Sequence, residues 1–441
     1  MAVTLEKLQR SVADAAAIRR IRKLQPVGGR GDKIFPPTYP GEGRGPNAAP
    51  RHVFERRRID GSNVLCVLID SVQSQANRLE DALRVAHDGG TFGFPTITVD
   101  FSGTEVADIG RITTLDAPHR VFDAIIRDAE LNGVRFRDTE QGGRLIRAKA
   151  QNARAVYELS PTALVFGAWN STGEGGGLGA KFPRCVVSEI IGVSVATERE
   201  TVPVLNPRTG ELQYREEGRP SGKRTGSRID PLGIVSGVKV YKKAGSEGDW
   251  TVIESEAEQA KGGPVLYTGK KGTGKAGRAS LINHGNVTPT VGDLGVSMDY
   301  AVHSFVLSFA ALRRLRFGAS AADLAAQTAL AALALASVAA QDRNGYFLRS
   351  RCDLVPEANS TANFEIVDCD GGIETAELDF GSADRLLADA AKAAKAAGLG
   401  WNDQDLVLKP QLKLVQLVAA SRELALQGKA EEESDDETAK A

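Results

Sequence analysis

The residues best spaced for phosphoryl chemistry are Gly269-Lys-Lys-Gly-Thr-Gly274-Lys275-Ala276, which fit the G-x-x-x-x-G-K frame of a phosphate loop. Such a loop needs a Ser or Thr after the lysine to hold Mg²⁺, and Ala276 has no hydroxyl. It must also run directly into a helix whose N-terminus receives the phosphates. Here Gly277, Asn283, Gly285 and Asn286 follow, which is poor helix material. No apolar strand ending in a metal-coordinating Asp is evident either. A P-loop nucleotide hydrolase is the alternative these residues argue against. Lys270, Lys271, Lys275 and Arg278 read instead as a basic stretch facing a polyanion, with no acid anywhere from Gln259 to Val291.

Other chemistries have less to build on. The five histidines (52, 87, 119, 284 and 303) show no ligand spacing, and the four cysteines (66, 185, 352 and 369) form no C-x-x-C pair, so no metal and no cofactor is expected. His119 and Asp123 sit one helical turn apart and read as a helix-surface contact rather than an acid/base couple. His303, among apolar residues, reads as a buried core or interface histidine. No G-x-S-x-G elbow is present. The expectation is a protein that binds and does not catalyse.

Binding has a stronger candidate in Thr162 to Val195. Two apolar runs, Ala163 to Trp169 and Cys185 to Val195, read as buried strands. The loop between them holds Gly173, Gly175, Gly176, Gly177 and Gly179, entered through Asn170, Ser171 and Thr172 and left through Lys181 and Arg184. Glycine leaves no Cβ to keep another chain away, so this loop is suited to lie against an anionic backbone.

The net charge of −1 argues at first against a nucleic-acid partner. The tail Glu431 to Ala441 changes that picture: it carries six acids and one lysine, leaving 54 basic against 50 acidic residues in the rest. Apolar content of 42% and charged content of 25% are ordinary for a globular chain of 441 residues. The charged N-terminus has no apolar core of a secretory signal. Ala319 to Ala340 is alanine-rich and interrupted by Asp323 and Gln327, so it reads as a packed helix rather than a membrane span. A reducing cytoplasm, with Cys66 and Cys185 as buried thiols, is the expected setting.

The elements that must position these residues follow in order. Thr4 to Leu24 is predicted as one amphipathic helix ending in Arg19, Arg20, Arg22 and Lys23. Four charges in five residues exceed what capping needs, so Arg20, Arg22 and Lys23 join the candidate ligands for a polyanion. Val64 to Ile69 is an apolar strand; Asp70 and Gln73 then start a helix with a polar face of Gln73, Asn77, Glu80 and Arg84, ended by Gly89 and Gly90. A strand at 96–101, a helix over DAPHRVFDAIIRDAEL capped by Asp116, and a helix at 144–159 precede the glycine loop. Beyond Thr197 a hairpin, TVPVLNPRTGELQYREE, opens a Gly-rich basic region read as insertions. Helices at 296–317 and 320–341, small strands within 347–380, and a helix at 384–397 complete the chain. The segments are thus 1–62, an N-terminal helix and basic loop; 63–197, the first part of the core; 198–292, the insertions; 293–428, the rest of the core; and 429–441, an acidic disordered tail. The order suggests an α+β sandwich with helices on one sheet face.

At SVQSQANRLE, DAPHRVFDAIIRD, SPTALVFGAWNSTG and PRCVVSEI the sequence resembles the RAMP-superfamily backbone subunit of the type I-G (formerly I-U) CRISPR effector complex, the Csb-one or Cas-seven-type family. LQPVGGRGDKIFPPTYPG and HVFERRRIDG also fit, and the likeness returns at GRASLINHGNVTPT and GVSMDYAVHSFVLSFAALRRLRF. The resemblance implies an RRM-like (ferredoxin-like) core with large insertions, a thumb hairpin and additional helices. It implies a subunit that stacks with copies of itself along one CRISPR guide RNA and presents the spacer to target DNA. Other Cascade subunits, of Cas-five and Cas-six type and the large subunit, would be neighbours, and no nuclease centre is implied. By motif, the resemblance carries RNA binding onto Gln73, Ser74, Asn77, Arg78, His119, Arg120, Trp169, Asn170, Ser171, Lys181 and Arg184. A purely structural self-associating protein is the remaining alternative.

Overall fold

The computed structural model describes residues 2–40, 51–170, 179–196, 199–205, 212–218, 224–225, 232, 234, 237–246, 248–269, 276–282, 284, 290–291, 295–360 and 362–426. The chain divides into two compact units, 1–197 with 295–422, and 198–294 with 423–441.

The larger unit is built on a nine-stranded antiparallel sheet. Its strands are β1 (Ala17–Pro26), β2 (Phe54–Ile59), β3 (Ser62–Asp70), β4 (Val186–Val193), β5 (Tyr300–Ser308), β6 (Tyr346–Arg349), β7 (Cys352–Pro356), β8 (Phe364–Val367) and β9 (Ile373–Ala376). They lie in the order β2-β3-β4-β5-β1-β7-β6, with β8 sharing the β7 edge of β1 and carrying β9 outside it. β5 and β8 both run antiparallel to β1 and flank it, and the chain passes from one to the other through a long helix and the β6–β7 hairpin. That is a split β-α-β unit, the arrangement from which ferredoxin-like cores are made. The fold class is α+β, as the sequence predicts.

Four helices pack together in this unit, α1 (Leu5–Asp14), α2 (Val72–Asp88), α3 (Ser320–Asn344) and α4 (Phe380–Ala396), and a further helix spans Leu412–Leu426. α3 packs against α1, α2, α4 and the sheet. It is long and apolar enough to cross a membrane, but 83% of that apolar window is buried inside the fold. Leu330, Leu333, Leu335 and Val338 are fully enclosed, each contributing about 1.5–3 kcal/mol of burial. Small alanines between them let neighbouring helices approach on every side. A second, five-stranded sheet runs Arg111–Thr113, Ile97–Asp100, Leu406–Pro410, Ala129–Leu131, Val134–Arg135.

Several predicted elements take another form. The helix expected over 4–24 stops at Asp14, and 17–26 is the central strand β1. Its inward face is Ile18, Arg20, Arg22 and Leu24, so two arginines at core positions hide the alternation. The helix expected at 296–317 is β5, whose Ala301, His303, Phe305 and Leu307 point inward, followed by a single turn at Phe309–Leu312. Ala163 to Trp169 is a short helix, Thr162–Phe166, leading into the two-residue strand Ala168–Trp169. The helix expected from Asp116 breaks into a 3-10 turn at Arg120–Phe122, a helix at Ala124–Arg127 and a strand at Ala129–Leu131. The helix expected over 144–159 is two, Glu140–Ile146 and Arg154–Leu159. The N-cap of α2 is Ser71 rather than Asp70.

In the smaller unit, Arg199–Leu205 and Leu212–Gly218 pair as the predicted hairpin, whose turn lies outside the described residues. Short pairs join Arg224–Thr225 to Thr290–Val291, Tyr241–Lys242 to Trp250–Thr251, and Gln259–Ala260 to Gly263–Pro264. After Lys275 the chain makes a turn and a 3-10 helix at Ala279–Ile282, not the α-helix a phosphate loop requires.

Candidate nucleic-acid interface

The residues flanking the glycine-rich loop converge on one cleft of about 670 Å³. Gly167 makes this possible. Its φ of +85° ends the helix Thr162–Phe166, and a Cβ there would lie 2.9 Å from the Arg184 amide nitrogen. The chain then pairs Trp169 directly opposite Lys181 and Ala168 opposite Phe182. Opposed residues share a face, so the Lys181 Nζ sits 4.8 Å from the centre of the Trp169 ring. Trp169 remains 48% exposed. Phe182 turns the other way and stacks on Phe122 at 6.1 Å. Gly179 lets the two arms close, since a Cβ there would meet the Asn170 carbonyl oxygen at 1.5 Å.

The opposite wall is the turn Pro118-His119-Arg120. Arg120 has φ +52°, a left-handed conformation uncommon for a side-chain-bearing residue. Its guanidinium donates to both oxygens of Glu80 (2.7 and 2.6 Å) and to the Gly167 carbonyl (3.0 Å). Glu80 is buried, and burial pushes its carboxyl up to about 7 despite the Arg120 pair. Arg184 lies beside them; burial and the neighbouring Arg120 charge hold its guanidinium below its ordinary value. Its side chain makes no hydrogen bond or ion pair among the described residues. Glu80 thus pairs with Arg120 and acts on Arg184 only through its charge.

The cleft therefore gathers His119, Arg120, Trp169, Lys181 and Arg184 from three separate stretches of sequence. His119 is exposed, with its backbone N–H given to Asp123 (2.9 Å). Asn170 is buried, its N–H donated to the Ala180 carbonyl. Ser171 lies outside the described residues, as do Lys270, Lys271 and Lys275.

The other predicted residues fall into two groups. Gln73 and Asn77 are exposed on the first turns of α2. Behind them Asp70, wholly buried, accepts from Ser74 Oγ (2.7 Å), Gln75 Nε2 (2.6 Å) and Arg78 Nε (2.9 Å). Arg78 also donates to the Leu348 carbonyl, so Ser74 and Arg78 tie α2 to the sheet. On β1, Lys23 lies 4.0 Å over the Tyr300 ring beside a second cleft of about 440 Å³. Arg20 is only 1% exposed and is held by Asp342, which also pairs with Arg22 at 3.1 Å. Tyr346 Oη donates to the same carboxylate. His303, pushed down to about 3 by burial and by Arg20, bridges Tyr346 and Ser188 Oγ (3.2 and 2.9 Å). This network fills the space between sheet and α3, leaving Arg20 no surface to offer a phosphate.

Two features escaped sequence reasoning: the role of Glu80, and the turn at Arg120, a residue the resemblance did name. Glu80 reads as a solvated helix position, yet it is the counter-ion of the cleft. Arg120 reads as helical, yet its left-handed turn aims it there. Neither has a sequence signal apart from a charge lying next to apolar residues.

Residues 18–197 match the family model described as CRISPR-associated protein GSU0053. That match supports a CRISPR-associated protein. It covers less than half of the chain, and within it lie the cleft, α2, β1 and β4. No curated protein matches the chain.

Proposed function

We propose that the chain is a guide-RNA-binding backbone subunit of a type I Cascade-like complex. On this reading it assembles in copies along the spacer and presents it for pairing with target DNA. The observation that carries the reading is the cleft: a half-buried Arg184 with no ion pair among the described residues, an exposed Trp169 and Lys181 converge where no described Ser, Thr, Cys, Asp or Glu lines the wall. Such a surface can neutralise phosphates and offer a ring face to a base, and its one imidazole, His119, stands beside no nucleophile among the described lining residues. It also supplies no matched set of donors for base edges, which suits a protein that must accept any spacer. Sequence would then be read by base pairing with the guide, as in other RNA-guided systems. The likeness to the type I-G subunit and the family match over the same residues support this over nucleotide hydrolysis or bare self-association. The partners would be the guide, copies of the chain and the other Cascade subunits in the cytoplasm, with no catalytic step of its own.

The test is co-expression with a CRISPR-array transcript and the neighbouring subunits. RNA should co-purify, seen as a raised 260/280 nm absorbance ratio, and be stripped by high salt. Lys181→Ala with Arg184→Ala should lower the RNA recovered while the protein stays folded. A lone, nucleic-acid-free chain under these conditions contradicts the reading.

A further inference from the structure

The smaller unit carries a cation pair that makes no ion pair among the described residues. Lys239 and Arg278 face each other directly in an antiparallel bridge. The Val240 N–H donates to the Gly277 carbonyl (3.0 Å), just inside that pair. This makes it the narrow, non-hydrogen-bonded kind, in which opposed Cα atoms stand about 4.5 Å apart and side chains come closest. Both residues are exposed, and like charges directly opposite each other repel.

The acids described nearby are all committed elsewhere. Glu258 pairs with Lys242 (2.7 Å) and Asp249 with Lys243 (3.5 Å). Glu254 accepts from Tyr241 Oη (2.6 Å) and Glu256 from Thr251 Oγ1 (3.1 Å). Lys239 and Arg278 make no ion pair among the described residues. The sequence from 259 to 291 contains Lys261, Lys270, Lys271, Lys275 and Arg278 and no acid at all.

We propose that Lys239 and Arg278 form a phosphodiester contact through which the inserted unit itself grips a nucleic-acid strand. An isolated phosphate on two exposed cations would gain little, because water and salt screen it. A strand does better: its phosphates recur along the chain, and each one neutralised releases condensed counterions. The contact goes beyond the cleft reading, since it belongs to a unit the cleft does not use.

The test compares the full chain with Lys239→Ala/Arg278→Ala, by fluorescence anisotropy, on an RNA strand and a DNA strand of equal length across a KCl series. Two lost contacts should make the slope of log affinity against log salt shallower by about 1.4. Affinity near physiological salt should fall severalfold on at least one strand, and that strand identifies which nucleic acid is held. Thermal stability of the unliganded variant should be equal or higher, because a repulsive pair has been removed. Unchanged slopes on both strands overturn the proposal. Lys181→Ala/Arg184→Ala, run beside it, separates the two readings: if only that variant weakens binding, the cleft stands and the inserted-unit contact falls, and the reverse result spares the contact.

Discussion

Asp342→Asn tests whether Arg20 belongs to the core or to the nucleic acid. The Asp342 carboxylate accepts from Arg20 through both Nη atoms, pairs with Arg22 at 3.1 Å and accepts from Tyr346 Oη. It is the one carboxylate within reach of Arg20 among the described residues, and the Arg20 Nε already has no partner. His303 alongside is neutral and cannot compensate. Breaking a buried ion pair by removing one partner costs about 3–5 kcal/mol. With a urea m-value of about 3 kcal/mol/M for a unit of this size, the unfolding midpoint should drop by about 1 M or more. Arg20→Met should cost less, about 1–2 kcal/mol, since its stem packing survives and Asp342 keeps Arg22 and Tyr346. The double variant should cost less than the sum of the two by about 1 kcal/mol or more. Folded Arg20→Met protein should bind RNA with wild-type affinity and salt slope. If its urea midpoint is unmoved while RNA affinity falls tenfold, Arg20 is a nucleic-acid ligand and the placement argued above is wrong.

Glu80→Gln removes the negative charge that Arg120 holds beneath the cleft. Wild-type RNA affinity should rise about fivefold from pH 8 to pH 6 as Glu80, raised to about 7, takes up its proton; this equals about 1 kcal/mol. Measured in a His119→Gln background, to silence the exposed imidazole, the rise should vanish in Glu80→Gln, and its persistence would acquit Glu80. Gly167→Ala must place a side chain at φ +85° and against the Arg184 amide, so a loss of about 1–3 kcal/mol and weaker RNA binding are expected. Wild-type values of both would show that the cleft wall yields freely. His87 is raised by its hydrogen bond to Asp405 (3.2 Å), and Asp405 is lowered by the same contact. The pair therefore stabilises fully above the usual carboxylate range and below pH 6.5, and that stability is lost as pH rises through the raised His87 value. Glu80 and His303 also titrate differently in the folded and unfolded states, so the pair is read as a difference between variants: relative to the wild type, His87→Gln should lose about 1 kcal/mol of stability at pH 6 and little at pH 8 in denaturation curves, and an equal effect at both pH values would count against the pair.

The parts of the fold legible in the sequence are those whose apolar pattern was unbroken. Val64 to Ile69, the helix after Ser71 and the alanine-rich α3 were readable because burial and periodicity agree there. β1 was not, since Arg20 and Arg22 occupy inward positions and only Asp342, more than three hundred residues away, makes them tolerable. β5 was missed although its alternation is strict, because His303 interrupts the inward face and helix formers follow at once. The cleft was half legible. Lys181, Arg184 and Trp169 announce themselves through the glycine loop, whereas the turn that aims Arg120 depends on Glu80 and the Gly167 carbonyl, which sequence spacing does not bring together.

The most direct measurement is the affinity of the purified chain for a panel of guides of one length and unrelated spacers, over a KCl series, with and without Lys181→Ala/Arg184→Ala. The account predicts near-equal affinities, one steep common salt slope, and an equal loss of about tenfold for every guide in the variant. A flat salt profile, or a loss that depends on which spacer is bound, would contradict it.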